Sequence, residues 1–110
     1  MSNAFAEREK GFERKYQLDQ DQAFKVQSRR DKYFGLWIAA KLGKTGGDAE
    51  AYAKEVVIKN MDLPGDEDML GKVRDDLKAI NIAVEENELP AQLRKAEADA
   101  AREILGPQKN

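Results

Sequence analysis

Apolar side chains recur along this chain at the three- and four-residue spacing of a helix face, and nowhere do they alternate as in a half-buried strand. Ala23, Val26, Gln27, Arg30, Tyr33, Phe34, Trp37 and Ile38 fall on one side of a single helix. Asp21, Lys25, Arg29 and Lys32 fall outside that stripe, as a solvated face should. The spacing predicts a helix from about Asp19 to about Leu42, stopped at Gly43, a residue suited to the position just past a helix end. Thr45-Gly46-Gly47-Asp48 reads as a loop with Asp48 as N-cap. Ala49, Tyr52, Ala53, Val56 and Val57 then line a short second helix ending near Asn60. Asp62-Leu63-Pro64-Gly65 breaks the chain, because Pro and Gly together punctuate helices.

Asp66-Glu67-Asp68 opens a third helix whose stripe is Leu70, Val73, Leu77 and Ile80, with Met69 beside it. Between Asn81 and Glu86 the pattern allows a helix extension or a packed turn through Ile82 and Val84. A fourth helix begins near Asn87 or Leu89 and tolerates Pro90 in its first turn. Leu89, Leu93, Ala96, Ala100 and Ile104 mark its buried side, and Gly106-Pro107 ends it. Four amphipathic helices on short loops predict an all-α four-helix bundle over residues 19–106, with a frayed C-terminus over 107–110.

Composition narrows the chemistry more than the fold. The 110 residues fit one domain, and 41% hydrophobic content supports one modest core beneath heavily charged outer faces. No apolar run is long enough to span a bilayer, and the isolated apolar residues at the start predict no signal peptide. Without cysteine there is no disulfide, thiolate nucleophile or cysteine zinc site, and without histidine no Ser-His-Asp triad or imidazole metal site. The usual pH sensor is missing too, so pH control would fall to perturbed carboxylates. The chain reads as a non-enzyme that needs no cofactor.

The first eighteen residues stand apart. Phe5, Phe12 and Tyr16 share a side of a helical wheel with Ala23, laced by Glu7, Arg8, Glu9, Lys10, Glu13, Arg14 and Lys15. A lone helix of this length is marginal in water, and Gly11 costs it about 1 kcal/mol. Full burial of three aromatics returns at most about 9 kcal/mol. Fixing the backbone costs about 1–2 kcal/mol per residue, which exceeds that gain. Three readings stand on the residues alone: an extension of the first helix docked on the bundle, a tail without function, or an arm disordered when free and helical when bound. The arithmetic favours the arm.

Other candidate chemistry is thinner. Asp62, Asp66, Glu67 and Asp68 lack the spacing of a calcium loop, and acidic residues at a helix start are favoured by the macrodipole without any metal. Lys25, Arg29, Arg30 and Lys32 form a short basic cluster. With 19 basic against 21 acidic groups the chain lacks the basic field a nucleic-acid binder wants. Those side chains read better as a secondary docking or ligand surface, with Arg29 and Arg30 alternatively snorkelling around Trp37. An alternative function is a bundle that binds a small molecule, such as a nucleotide, near Tyr33 and Trp37. Lys41 to Gly47 resembles part of a phosphate loop but follows a helix instead of a strand, so it reads as a helix stop.

The string as a whole carries a resemblance. Phe5, Arg8-Glu9, Phe12-Glu13 and Lys15 lead into Ala23-Phe24-Lys25-Val26-Gln27-Ser28-Arg29-Arg30-Asp31-Lys32 and Gly35-Leu36-Trp37. Leu42-Gly43, Gly46, Tyr52-Ala53-Lys54, Val56-Val57, Gly65-Asp66-Glu67-Asp68 and Lys72 follow. In these features the chain resembles the zeta subunit family, the ATPase inhibitor subunit of certain bacterial F-type ATP synthases. The resemblance is densest from Phe5 to Val57 and thins beyond residue 80.

The resemblance implies a four-helix bundle with a flexible N-terminal arm over residues 1–18 that blocks ATP hydrolysis. The arm would enter an interface of the alpha, beta and gamma subunits of the catalytic head and become helical there. Carried onto this sequence, the partner-binding stripe is Phe5, Arg8, Glu9, Phe12, Glu13, Lys15 and Tyr16. The aromatics would act as anchors and the charges as rim pairs. Tyr16 stands where the family pattern implies Phe, and Met61 where it implies a small or acidic residue. The family further implies a monomer when free, in the bacterial cytoplasm at the inner membrane face, with no membrane insertion and no nucleic acid.

Overall fold

In a computed structural model, the structure describes residues 19–61, 65–85 and 87–106. The described residues form helices and connecting turns with no strand: α1 (Gln20–Lys41), α2 (Gly46–Asn60), α3 (Glu67–Ala79) and α4 (Glu88–Leu105). The all-α four-helix bundle is therefore the fold. None of these helices is long and apolar enough to cross a membrane.

Both ends of α1 follow from local chemistry. Asp19 is extended at φ −76°, ψ 177°, and its carboxylate accepts a hydrogen bond from the Gln22 amide at 2.8 Å, which satisfies one of the free donors of the first turn. At the far end Gly43 takes φ +80°, so that its amide donates to the Ala40 carbonyl and the Lys44 amide reaches Ala39 at 2.9 Å. Those paired bonds close the helix as a Schellman turn. Asn81 does the same after α3 at φ +62°, with Ile82 donating to the Leu77 carbonyl. Ile82 and Val84 lie against the core, so the segment after α3 is a packed turn and not a helix extension; Glu86 lies outside the described residues.

Other boundaries differ from expectation. Helix α2 starts earlier than an Asp48 cap would place it, because the Thr45 carbonyl already accepts from the Asp48 and Ala49 amides. Asp48 instead sits in the first turn, where the helix dipole favours a carboxylate. On α3 the core residues are Met69, Val73 and Leu77, while Ile80 is the C-cap and 50% exposed. On α4 Ala101 is buried and Ile104 only partly so. Residues 62–64 and the expected frayed end at 107–110 lie outside the described residues.

Helix α1 is the spine, packed against α2 on one side and α4 on another, while α3 leans mainly on α2. This position explains why α1 buries more than one stripe. Phe34, Ile38 and Ala39 join Val56, Met69, Leu77, Leu93 and Ala96 in one core drawn from all four helices. A smaller cluster of Val26, Ala100 and Ala101 seals the other end of the α1–α4 contact. Gly35 lets α1 and α2 approach closely. A Cβ at Gly35 would stand 2.8 Å from the Ala53 Cα and 3.1 Å from the Val56 Cβ.

Candidate functional site

The partner-binding residues read from the sequence, Phe5, Arg8, Glu9, Phe12, Glu13, Lys15 and Tyr16, lie outside the described residues. What is described is their point of attachment, the capped start of α1, and the surface beside it.

The basic cluster divides in two. Lys25, Arg29 and Lys32 sit at helical spacing on one face of α1. Arg30, one residue on from Arg29, is turned by about 100° into the bundle. Its guanidinium is 3% exposed, so it belongs to no docking surface. Arg30 Nε donates to Asp31 Oδ1 at 2.9 Å, and a terminal nitrogen reaches Asp66 Oδ1 at 2.7 Å. Asn60, the last residue of α2, donates from Nδ2 to Asp31 Oδ2 at 2.7 Å and to Asp66 Oδ1 at 3.1 Å. This set ties α1, α2 and the start of α3 together below the surface. Asp66 is the N-cap position of α3 but makes no side-chain cap, since its carboxylate serves Arg30 and Asn60. The acidic run 66–68 thus has a structural use: Asp66 holds Arg30, while Glu67 and Asp68 sit in the first turn of α3.

Burial sets the electrostatics of this set. Desolvation works to lower the Arg30 pKa, but Asp31 and Asp66 outweigh it and the net direction is up. For Asp31 burial dominates and raises the carboxyl above its ordinary 3.8, against the pull of Arg30 and the Asn60 amide. Asn60 Oδ1 is buried with no hydrogen-bond partner, the cost of aiming its amide donors at two carboxylates.

Trp37 is not ringed by Arg29 and Arg30 as snorkelling would have it. Among the described residues the cation over its ring is Lys41 at 4.6 Å, and Trp37 stacks on Phe34 with centroids 6.2 Å apart. Arg29 lies 6.0 Å over Tyr33, and both Arg29 and the Tyr33 hydroxyl donate to Glu103 of α4. The groups that would greet a ligand near Tyr33 are therefore already engaged.

The outward basic face borders an open groove of about 770 Å³ between α1 and α2, with Ile104 of α4 also in its lining. Phe24, Lys25, Ser28, Arg29 and Lys32 line one wall, and Glu50, Ala51, Lys54 and Val57 the other. Sequence reasoning placed Lys25, Arg29 and Lys32 here but missed Phe24 and Lys54. Phe24 falls off the core stripe of α1, a signal of an exposed aromatic that a helical wheel does carry. Lys54 comes from another helix, and nothing in its local pattern points to the groove.

The buried ionic groups of this helical bundle serve packing, and one open groove on its surface is rimmed by cations. The family model for ATPase inhibitor subunit zeta matches residues 1–103, and the chain belongs to that family. Among curated proteins, none is similar enough to count as a match. Membership makes the chain a regulatory partner of an ATP synthase.

Proposed function

We propose that this chain inhibits an F-type ATP synthase by inserting residues 1–18 as a helix at a catalytic interface of the alpha, beta and gamma subunits. The observation that carries this reading is the extent of the family match. It runs over residues 1–103 and so takes in the amphipathic segment as well as the bundle.

In this reading Phe5, Phe12 and Tyr16 fill apolar pockets, and Arg8, Glu9, Glu13 and Lys15 pair with charges at the rim. A helix lodged there holds the interface in one state, so the opening and closing that hydrolysis needs stops. The protein acts as a monomer in the bacterial cytoplasm, at the inner membrane face when bound, and performs no catalysis itself.

The test is removal of residues 1–18. The truncated chain is expected to melt within about 2 °C of the full chain and to lose inhibition of ATP hydrolysis. A sharp fall in melting makes the segment part of the core. Inhibition that persists in a stable truncated chain places the activity in the bundle. Either result overturns the reading.

A further inference from the structure

The groove between α1 and α2 is a surface feature that the insertion of an N-terminal helix leaves unused. Its lining gathers four cations, Lys25, Arg29, Lys32 and Lys54, against one carboxylate, Glu50. The chain as a whole carries a net charge of −2, so this face is opposite in sign to the rest. Arg29 is held by Glu103 and Lys32 lies 3.8 Å from Glu50. Among the described residues, Lys25 and Lys54 have no ion-pair partner. Phe24, 55% exposed, lines the same groove. An exposed aromatic that shares a groove with cations offers an anchor and a polar rim, the composition of an interface centre.

We propose that this groove is a second docking surface and takes an acidic amphipathic helix of the partner, an apolar side chain on Phe24 and carboxylates on Lys25 and Lys54. The proposal rests on the functional reading above and adds the contact made by the bundle. Position supports it. At about 1.5 Å per residue, Phe24 lies only about 8 Å along the axis from Asp19, where the N-terminal segment joins. A partner that holds the segment has its surface beside this groove, and the tether raises the local concentration of the groove's own target. Charge argues against the chain's own first eighteen residues as occupant, since they carry four basic against three acidic side chains.

The experiment uses the full chain with the doubly reversed variant Lys25→Glu/Lys54→Glu, both sites being exposed. Binding to the isolated catalytic head and inhibition of ATP hydrolysis are measured at low and high salt, beside a peptide of residues 1–18. The variant is expected to melt like the parent and to need about tenfold more protein for half-occupancy, with weaker salt dependence. The peptide should bind more weakly than the parent and as weakly as, or more weakly than, the variant. Equal binding by parent and variant overturns the groove and leaves the wedge standing. A parent that binds without inhibiting, with binding weakened by the reversal, overturns the wedge and keeps the groove. No binding by the parent overturns both. If the reversal instead shifts the N-terminal spectrum or the sedimentation of the free chain, the occupant is this chain's own segment or a second copy, and the proposal falls.

Discussion

The guanidinium of Arg30 has exchanged water for Asp31, Asp66 and a place between three helices. Such a set adds little stability over an apolar core of the same shape, yet breaking it strands a charge. Arg30→Met is expected to cost about 3–5 kcal/mol, read as a fall in the urea midpoint, because Asp31 and Asp66 stay behind without their cation. Replacing Arg30, Asp31, Asn60 and Asp66 together by apolar residues of similar volume should recover most of that loss. Tyr52 supplies the alkaline counterpart. Burial, then the hydrogen bond to Asp76 at 2.7 Å and the Asp76 charge, push its pKa well above the ordinary 10.0. Folded Tyr52 keeps its proton where the unfolded chain loses it, so stability falls as pH rises above about 10. Titration followed by tyrosinate absorbance should show Tyr52 ionising only as the chain unfolds, and Tyr52→Phe should flatten the alkaline loss. Arg30 also marks where a linear pattern stops informing. It sits on the apolar stripe of α1, but its partner Asp66 is 36 residues away and their meeting is a property of the packed chain.

At the scale of elements, the contact between α1 and α2 depends on the missing side chain at Gly35. Gly35→Ala gains up to about 1 kcal/mol in helix propensity but drives a methyl into the Ala53 backbone. The overlap should win, for a net destabilisation of about 1–3 kcal/mol by chemical denaturation. Helix bounds were legible where the signal is local: the Asp19 cap and the Gly43 stop bracket α1 because backbone geometry there answers to single residues. Stripes were less so. Ile80 continues the spacing of Leu70, Val73 and Leu77, but the helix has ended by then and its side chain faces out. Asp31, Gly35 and Ala39 were missed as buried positions for a related reason. A helix packed on two sides has no single wet face, and polarity then stops reporting direction.

For the whole molecule, the fold was readable from four amphipathic segments, and the family from residues that recur at its spacing. The groove was half readable. One wall, the cations of α1, is a string of neighbours, whereas Lys54, Val57 and Ile104 arrive through tertiary contact. The same division applies to the proposed function: the N-terminal segment is legible as a linear pattern, whereas the groove is assembled by the packed helices.

The double fastening of α1 has a rotational consequence. Gly35 against Ala53, with Arg30 and Asp31 against Asn60 and Asp66, fixes the angle of this helix about its own axis. Should Asp19 release Gln22 and let the helix run on into the segment before it, that segment inherits the angle, at about 100° per residue. One alanine inserted between Leu18 and Asp19 would swing Phe5, Phe12 and Tyr16 by that amount and leave the bundle untouched. Half-inhibition is then expected to need about tenfold more protein or worse, while a four-residue insertion, nearly a full turn, should recover part of the loss. The bundle would then be an indexing device, setting the direction the aromatic edge faces as it enters its partner.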